Sequence, residues 1–367
     1  MPNNKNVLKY SKLSLVNKII KRFALGNKNL FLLARGRDLK PRWIWLEVTD
    51  NCNSHCSHCN IWKKQPTPNQ LTLAEIEKTL SDPLFSEVET IINSGGEAIL
   101  RDDIVEIIKL EHRLFPHAGL DLSTNGILAD RVLKIVREIL NEGIKINVGV
   151  SLDAIGSRHD RIRGVPGNYE KVNYLLRELV KLRNQYPGKL SLVIGLTLSS
   201  LTLPGWEEVR DYARDMNIEF MAQWYNQSSF YDNDGGSKEN ENKDRMVKAV
   251  KEQPVTVVRE KWLKLLNNKQ IKFRCFAAQT FFAMRCDGGI VPCLNYWDDV
   301  LGNVRQNSPS EIWASPKAKE IREKVSHCPG CLNSWGVEWS ASTSFYPRLT
   351  FYLRNPKAII DRLKRLN

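Results

Sequence analysis

Cys52, Cys56 and Cys59 follow directly on the apolar run Trp43-Ile44-Trp45-Leu46-Glu47-Val48-Thr49. Three thiols spaced C-x3-C-x2-C on one loop after a strand can ligate three irons of a cluster. A four-iron cluster held in this way keeps one iron without a protein ligand, whereas structural and electron-transfer clusters take four cysteines. The chemistry implied is a small molecule bound at the cluster. A zinc site would need a fourth Cys or His. His55 and His58 lie on the loop, but their spacing is too tight for an easy tetrahedron. Buried thiols without metal are the remaining alternative.

A second group of five cysteines lies further along, at Cys275, Cys286, Cys293, Cys328 and Cys331. Cys275, Cys293, Cys328 and Cys331 read as C-x12-G-x4-C followed by C-x2-C. Four thiolates from two separated segments suit a closed four-iron cluster or a four-cysteine zinc site, and spacing alone does not choose between them. Cys286 sits in Met284-Arg285-Cys286-Asp287-Gly288, a hairpin-like approach to Gly288-Gly289, and is expected to be a small buried hydrophobe rather than a ligand. The grouping indicates metal sites, not a disulfide framework, and therefore a reducing cytoplasm.

Six β-branched, apolar runs position these groups: 43–49, 87–93, 119–123, 145–151, 190–198 and 218–224. Amphipathic segments at 71–81, 101–114, 129–142, 168–185 and 204–216 alternate with them. The pattern predicts a parallel sheet with helices outside, and a doubly wound sheet is the nearest alternative. Polar motifs recur where strands end. The second run ends in Ser94-Gly95-Gly96-Glu97, where an open backbone edge and a carboxylate suit a bound ammonium. The third ends in the turn Ser123-Thr124-Asn125-Gly126 and the fourth in Ser151-Leu152-Asp153. Asp153 fits a helix cap or a partner to a site residue. Arg163 has the bidentate geometry for a carboxylate, against the alternative of a surface salt bridge. Gln223 and Tyr225 are candidates for the pocket wall. The stretch 226–245 lacks periodicity and reads as a loop closing the unit, in position to be a lid or a plain linker.

The stretch Cys52-Asn53-Ser54-His55-Cys56-Ser57-His58-Cys59, with an aromatic ring at His58 before the last cysteine, resembles the signature of the radical S-adenosylmethionine (SAM) superfamily. The resemblance implies a partial (β/α)6 TIM-like barrel, open on one side, with functional residues at the C-terminal strand ends. It implies a 4Fe–4S cluster on Cys52, Cys56 and Cys59 whose open iron binds SAM. One electron then splits SAM into methionine and a 5′-deoxyadenosyl radical, which takes a hydrogen atom from substrate. By the same resemblance Gly95, Gly96 and Glu97 contact the SAM amino group, although Ala98 stands where the family usually has proline. Ser151 contacts the ribose or carboxylate region, Arg163 the methionyl carboxylate, and His58 belongs with these cofactor contacts.

The later cysteines, with Gly302-Asn303-Val304 and Glu311-Ile312-Trp313, resemble a SPASM or twitch extension. A full SPASM pattern has seven cysteines for two clusters. Five occur here, so one auxiliary 4Fe–4S cluster on Cys275, Cys293, Cys328 and Cys331 is expected. The expected organisation is a basic amphipathic segment at 1–42, the barrel at 43–226, a helical linker at 227–270, the small cysteine-rich auxiliary-cluster domain at 271–340 and a basic tail at 341–367.

The net charge of +13 belongs to the ends. Residues 1–42 carry eleven Lys or Arg against Asp38 alone, and residues 348–367 carry six against Asp361, so the body between them is near neutral. That body lacks the basic stripe of a nucleic-acid-binding face, and no nucleic-acid partner is expected. Both ends show basic amphipathic spacing, through Leu13, Val16, Ile20 and Phe23 and through Ile359, Ile360, Leu363 and Leu366. Such helices suit peripheral contact with an anionic membrane, or else a barrel cap and a solvated tail. No signal peptide and no spanning segment is read. The functional expectation is SAM-dependent oxidation or crosslinking of a peptide or protein, with an electron donor such as flavodoxin or ferredoxin. Modification of a carbohydrate or lipid-linked small molecule is the second reading. A non-catalytic iron–sulfur or zinc module is the alternative of another class.

Overall fold

The computed structural model describes residues 24–29, 31–233, 243–253, 256–267, 274–328, 333–343 and 345–355. Six parallel strands form first: β1 (Trp43–Thr49), β2 (Thr90–Gly95), β3 (Gly119–Thr124), β4 (Ile146–Ser151), β5 (Leu190–Leu198) and β6 (Glu219–Trp224). Between them run α1 (Leu73–Leu80), α2 (Ile104–Leu114), α3 (Ala129–Asn141), α4 (Ser157–Arg163), α5 (Asn168–Gln185) and α6 (Trp206–Asp215). Neighbours in sequence are neighbours in the sheet, in the order β6-β5-β4-β3-β2-β1. A doubly wound sheet reverses its order at a switch point. None occurs here, and the sheet curls as an open, partial barrel instead.

Local chemistry explains the elements. In α3, Val132, Leu133, Val136, Ile139 and Leu140 are buried along one face and the charged residues take the other. Thr72 and Glu75 form a reciprocal capping box that starts α1. β1 is buried at every residue and paired along both edges, so it is covered on faces and edges alike. The short helix α4 was not legible as a helix. It has about two turns of mostly polar residues, ended by Gly164 at φ +66°.

The second edge of β1 is covered by the later cysteine region. β7 (Phe281–Met284) pairs parallel to β1, with Trp45 opposite Ala283 and Leu46 opposite Met284. β8 (Gly289–Val291) and β9 (Gly302–Asn303) continue the sheet antiparallel, so nine strands are joined in all. The hairpin expected around Gly288 is β7–β8. One hydrogen-bonded sheet therefore runs across the boundary expected at 271. α9 (Pro309–Ala314) and α10 (Pro316–Ser326) follow.

Four more helices close the described chain. α7 (Lys243–Glu252) and α8 (Val257–Leu266) lie within the stretch expected as a helical linker, and α11 (Ser334–Thr343) and α12 (Phe345–Arg354) come after the last cysteines. The expected boundary at 340/341 falls inside α11. Val257, Ala341 and Phe351 share a small apolar cluster, and Trp339 stacks on Trp43 with centroids 6.0 Å apart. Residues 226–233 pack onto the first cysteine loop: the Tyr231 carbonyl accepts from the Asn60 amide at 2.8 Å. The amphipathic spacings at 13–23 and 359–366 lie outside the described residues, as do residues 234–242. Among the described residues no helix is long and apolar enough to cross a membrane.

Candidate active site: two cysteine groups across a shared wall

Because β1 to β6 are parallel, their C-terminal ends meet at one rim, and the expected contacts meet there. His58, Gly95, Gly96, Glu97, Ser151 and Arg163 all line one cavity, together with Cys56 and Cys59. Gln223 and Tyr225, expected at the pocket wall, line it too.

The cysteine loop is held from below by backbone. The amides of His55 and Ser57 donate to the carbonyls of Arg163 and Ile162 at 3.0 and 2.8 Å. These are orphan acceptors at the end of α4, so the helix terminus and the loop satisfy each other. The Ser54 hydroxyl donates to the Arg163 carbonyl at 3.1 Å. Gly164 turns the chain immediately beyond, where a Cβ would lie on the His55 carbonyl. From the other side the Gly96 and Glu97 amides donate to the Thr49 and Asn51 carbonyls, both at 2.8 Å. A Cβ at Gly95 would sit on the Thr49 oxygen and one at Gly96 on the Asn51 oxygen. The Gly-Gly pair thus lets two backbones meet, and the amides of Gly96 and Glu97 are spent on the chain entering the cysteine loop.

Glu97 is buried. Its carboxylate accepts from the Thr124 hydroxyl and the Asn125 amide, each at 2.7 Å. Burial pushes its pKa up to about 7 despite those hydrogen bonds. Arg163 is buried as well. Its Nε lies 2.7 Å from Asp153 Oδ2, and its Nη1 lies 3.7 Å from the Cys56 sulfur. Burial is the largest single influence and opposes the charge on Asp153 and on Arg163, but their mutual attraction, added to the Thr197 amide and His58 for Asp153 and to Cys56 for Arg163, outweighs it. The Asp153 carboxyl is held below its usual range and the guanidinium is held charged. Asp153 Oδ1 also accepts from the Thr197 amide at 2.9 Å. His58 has its Nε2 3.9 Å from the same carboxylate, yet burial lowers its pKa to about 4, so the ring is neutral at physiological pH.

The residues fit a cluster. Cys52, Cys56 and Cys59 are within electrostatic reach of one another on the loop. Burial raises the Cys52 thiol to about 11 and the Cys59 thiol to about 12, so a metal must displace protons there. Among the described residues no three Cys, His, Asp or Glu side chains are grouped for a single metal ion.

The later cysteines gather in a second, apolar cavity. Cys275, Cys293 and Cys328 line it with Phe281, Phe282 and Trp339. Cys275 precedes β7, Cys293 follows β8 and Cys328 follows α10. Burial raises the Cys275 thiol to about 11, with the Ser340 hydroxyl 4.0 Å from its sulfur. Tyr296 is raised as well, first by burial and then by Cys328 beside it. Cys331 lies outside the described residues. Cys286 is buried elsewhere: its amide donates to Glu47 Oε2 at 3.0 Å, and its thiol does not line this cavity.

Trp45, Leu294, Asn333 and Trp335 line both cavities. Trp45 meets Phe230 edge-on, centroids 4.9 Å apart, and Phe230 meets Tyr231 at 4.7 Å. Sequence reasoning missed this wall. The signal was present in β1, where Trp43, Trp45 and Glu47 alternate on one face, but a strand buried on both faces hides which face carries function.

Residues 46–199 match the model of the Radical SAM superfamily, and residues 275–332 match that of SPASM, an iron–sulfur cluster-binding domain. Pre-heme d1 synthase of Dinoroseobacter shibae is 36% identical over 143 residues, 38% of this chain and 33% of that protein. A probable GTP 3′,8-cyclase of Methanococcus aeolicus is 30% identical over 194 residues, 50% of this chain and 60% of that one. The chain thus spans between a third and three-fifths of these curated relatives. Among solved structures, Streptococcus suis SuiB bound to SAM superposes with a TM-score of 0.62 at 16% identity, over 80% of this chain and 70% of SuiB. SuiB has also been solved bound to its precursor peptide SuiA, with a TM-score of 0.58. SAM, a 4Fe–4S cluster and auxiliary cluster binding follow from the two domains. The chain carries a Radical SAM domain over residues 46–199 and a SPASM iron–sulfur cluster-binding domain over residues 275–332.

Proposed function

We propose that this enzyme oxidises or crosslinks a peptide in the first cavity, with the second cysteine site as electron acceptor. The shared wall carries the proposal: Trp45, Leu294, Asn333 and Trp335 face both sites, so a substrate held against them lies beside each.

Cys52, Cys56 and Cys59 would hold the SAM-binding cluster, and Cys275, Cys293, Cys328 and Cys331 the auxiliary one. Bound there, SAM and its cluster supply a deoxyadenosyl radical that removes one hydrogen atom from the substrate. The rest falls to the chain. Glu97 offers a carboxylate to the SAM ammonium. Arg163, aligned by Asp153, offers its remaining N–H groups to the SAM carboxylate and keeps a positive charge beside Cys56. His58 and Ser151 complete the cofactor wall, and the aromatic rings exclude water. Loss of the hydrogen atom, then of one electron and one proton, is a two-electron oxidation of the substrate. The peptide assignment is supported by the fold shared with SuiB, whose ligand is a precursor peptide.

The test is anaerobic reconstitution, with iron and sulfide counted and 5′-deoxyadenosine measured after SAM and reductant are added. About eight irons and deoxyadenosine formation are expected for two four-iron clusters. Zinc at the second site would refute the electron acceptor, and absence of deoxyadenosine the catalytic reading.

A further inference from the structure

The first cavity has little charge to offer a substrate. Among the described residues that line it, Glu97 and Arg163 are the only acidic or basic side chains besides His58 of the cysteine loop. Both charges are engaged within the protein. The Glu97 carboxylate is turned to Thr124 and Asn125, and the Arg163 guanidinium to Asp153 and Cys56. The wall away from these residues is built of aromatic rings and neutral amides. Trp45, Trp224 and Trp335 give the rings, and Gln223, Asn226 and Asn333 the amides. Asn226 exchanges amide hydrogen bonds with Asn295, at 2.8 and 3.2 Å, which fixes its orientation.

Such a wall selects against charge. Among the described residues a triphosphate or the carboxylate arms of a tetrapyrrole would find one cation, Arg163, which already faces Asp153, so they would shed water with little to replace it. Carboxamides carry a donor and an acceptor each, which matches the peptide group, and indole faces pack on flat, neutral surfaces. We infer that the part of the substrate entering this cavity is an uncharged peptide segment, not a nucleotide or a tetrapyrrole. The inference rests on the catalytic reading above and narrows its substrate.

The test uses the reconstituted, SAM-loaded holoenzyme and affinity-selection mass spectrometry. The probes are capped hexapeptide pools, identical but for two central residues that are neutral, acidic or basic, with GTP and coproporphyrin III in the same mixture. Neutral-centred peptides are expected to be retained about tenfold or more over both charged pools, with neither GTP nor coproporphyrin retained above background. Equal retention of the charged pools, retention of GTP or coproporphyrin, or no retention of any peptide overturns the inference. A second arm uses Gln223→Arg. Retention of acidic-centred peptides should rise at least about tenfold, and no change would place the segment elsewhere and also overturn it. Deoxyadenosine formation by the same preparation tests the catalytic reading separately, so the two can fail independently.

Discussion

The two cysteine sites are built on opposite principles. The first is one short loop, sewn by backbone hydrogen bonds to the end of α4 on one side and to Gly96 and Glu97 on the other. Its surroundings include a carboxylate, a guanidinium and hydroxyls. The second draws described cysteines from three places in the chain and surrounds them with Phe281, Phe282 and Trp339. Polar walls serve a site that must bind a zwitterion and release it. An apolar wall serves a site that binds only metal and holds it. With the roles proposed above, the contrast separates exchangeable chemistry from permanent ligation within one sheet.

Replacing ligands should break the comparison most sharply. Cys56→Ala is expected to abolish deoxyadenosine formation and remove about half the iron, four of eight. Cys275→Ala should remove the other half yet leave SAM cleavage measurable. Equal loss of cleavage in both variants would show that the sites are one unit.

Next in size is the buried ion pair. Asp153→Asn leaves Arg163 charged and uncompensated, at an expected cost on the order of 3–5 kcal/mol in urea unfolding. SAM affinity should fall with it, while iron at the second site persists in the folded fraction. Gly96→Ala drives a Cβ onto the Asn51 carbonyl. Neither backbone can yield without moving the cysteine loop, so about 1–3 kcal/mol and weaker cluster retention are expected, measured by melting and iron content. A variant with unchanged iron and melting would show that the loop adapts.

The titration of Glu97 gives a smaller, signed effect. Its pKa is raised from 4.5 to about 7 by burial. The stability contributed by its neutral form is present below about pH 4.5 and lost as pH rises through about 7, whereas the carboxylate formed above that point is the form that an ammonium prefers. Apoprotein stability should fall over about pH 4.5 to 7 and level off above, SAM affinity should rise over about pH 6 to 8, and Glu97→Gln should flatten both. Equilibrium dialysis and urea melts check the two slopes. The smallest effect sharpens the boundary between the sites: Cys286→Ala should leave iron content unchanged, since its thiol faces Glu47 and Thr67 and lines neither cavity.

Much of this was legible in the sequence because each strand run ended in a polar motif. Ser94 to Glu97, Ser123 to Gly126 and Ser151 to Asp153 mark the rim before any coordinates exist. Apolar, β-branched runs alternating with amphipathic segments foretold the order of elements, since local patterns report local structure. The rest depends on pairings remote in sequence. That Asp153 aligns Arg163, that Gly164 seats His55, and that Trp45 is shared by two cavities are facts of tertiary approach. The extension's place in the barrel sheet was hidden for the same reason: β8 and β9 are too short to announce their partners.

The pairing of β1 with β7 also has a consequence in time. β1 is made early, and the strand that covers its second edge only after all six barrel strands. While the chain is being synthesised, that apolar edge waits unpaired, open to any extended segment nearby. Its closure is the most distant contact of the sheet in sequence, and such contacts form slowly. A barrel cut off before residue 275 should therefore self-associate instead of remaining a smaller version of the enzyme. The extension that gathers the second set of cysteines is also the guard that ends the nascent barrel's exposure.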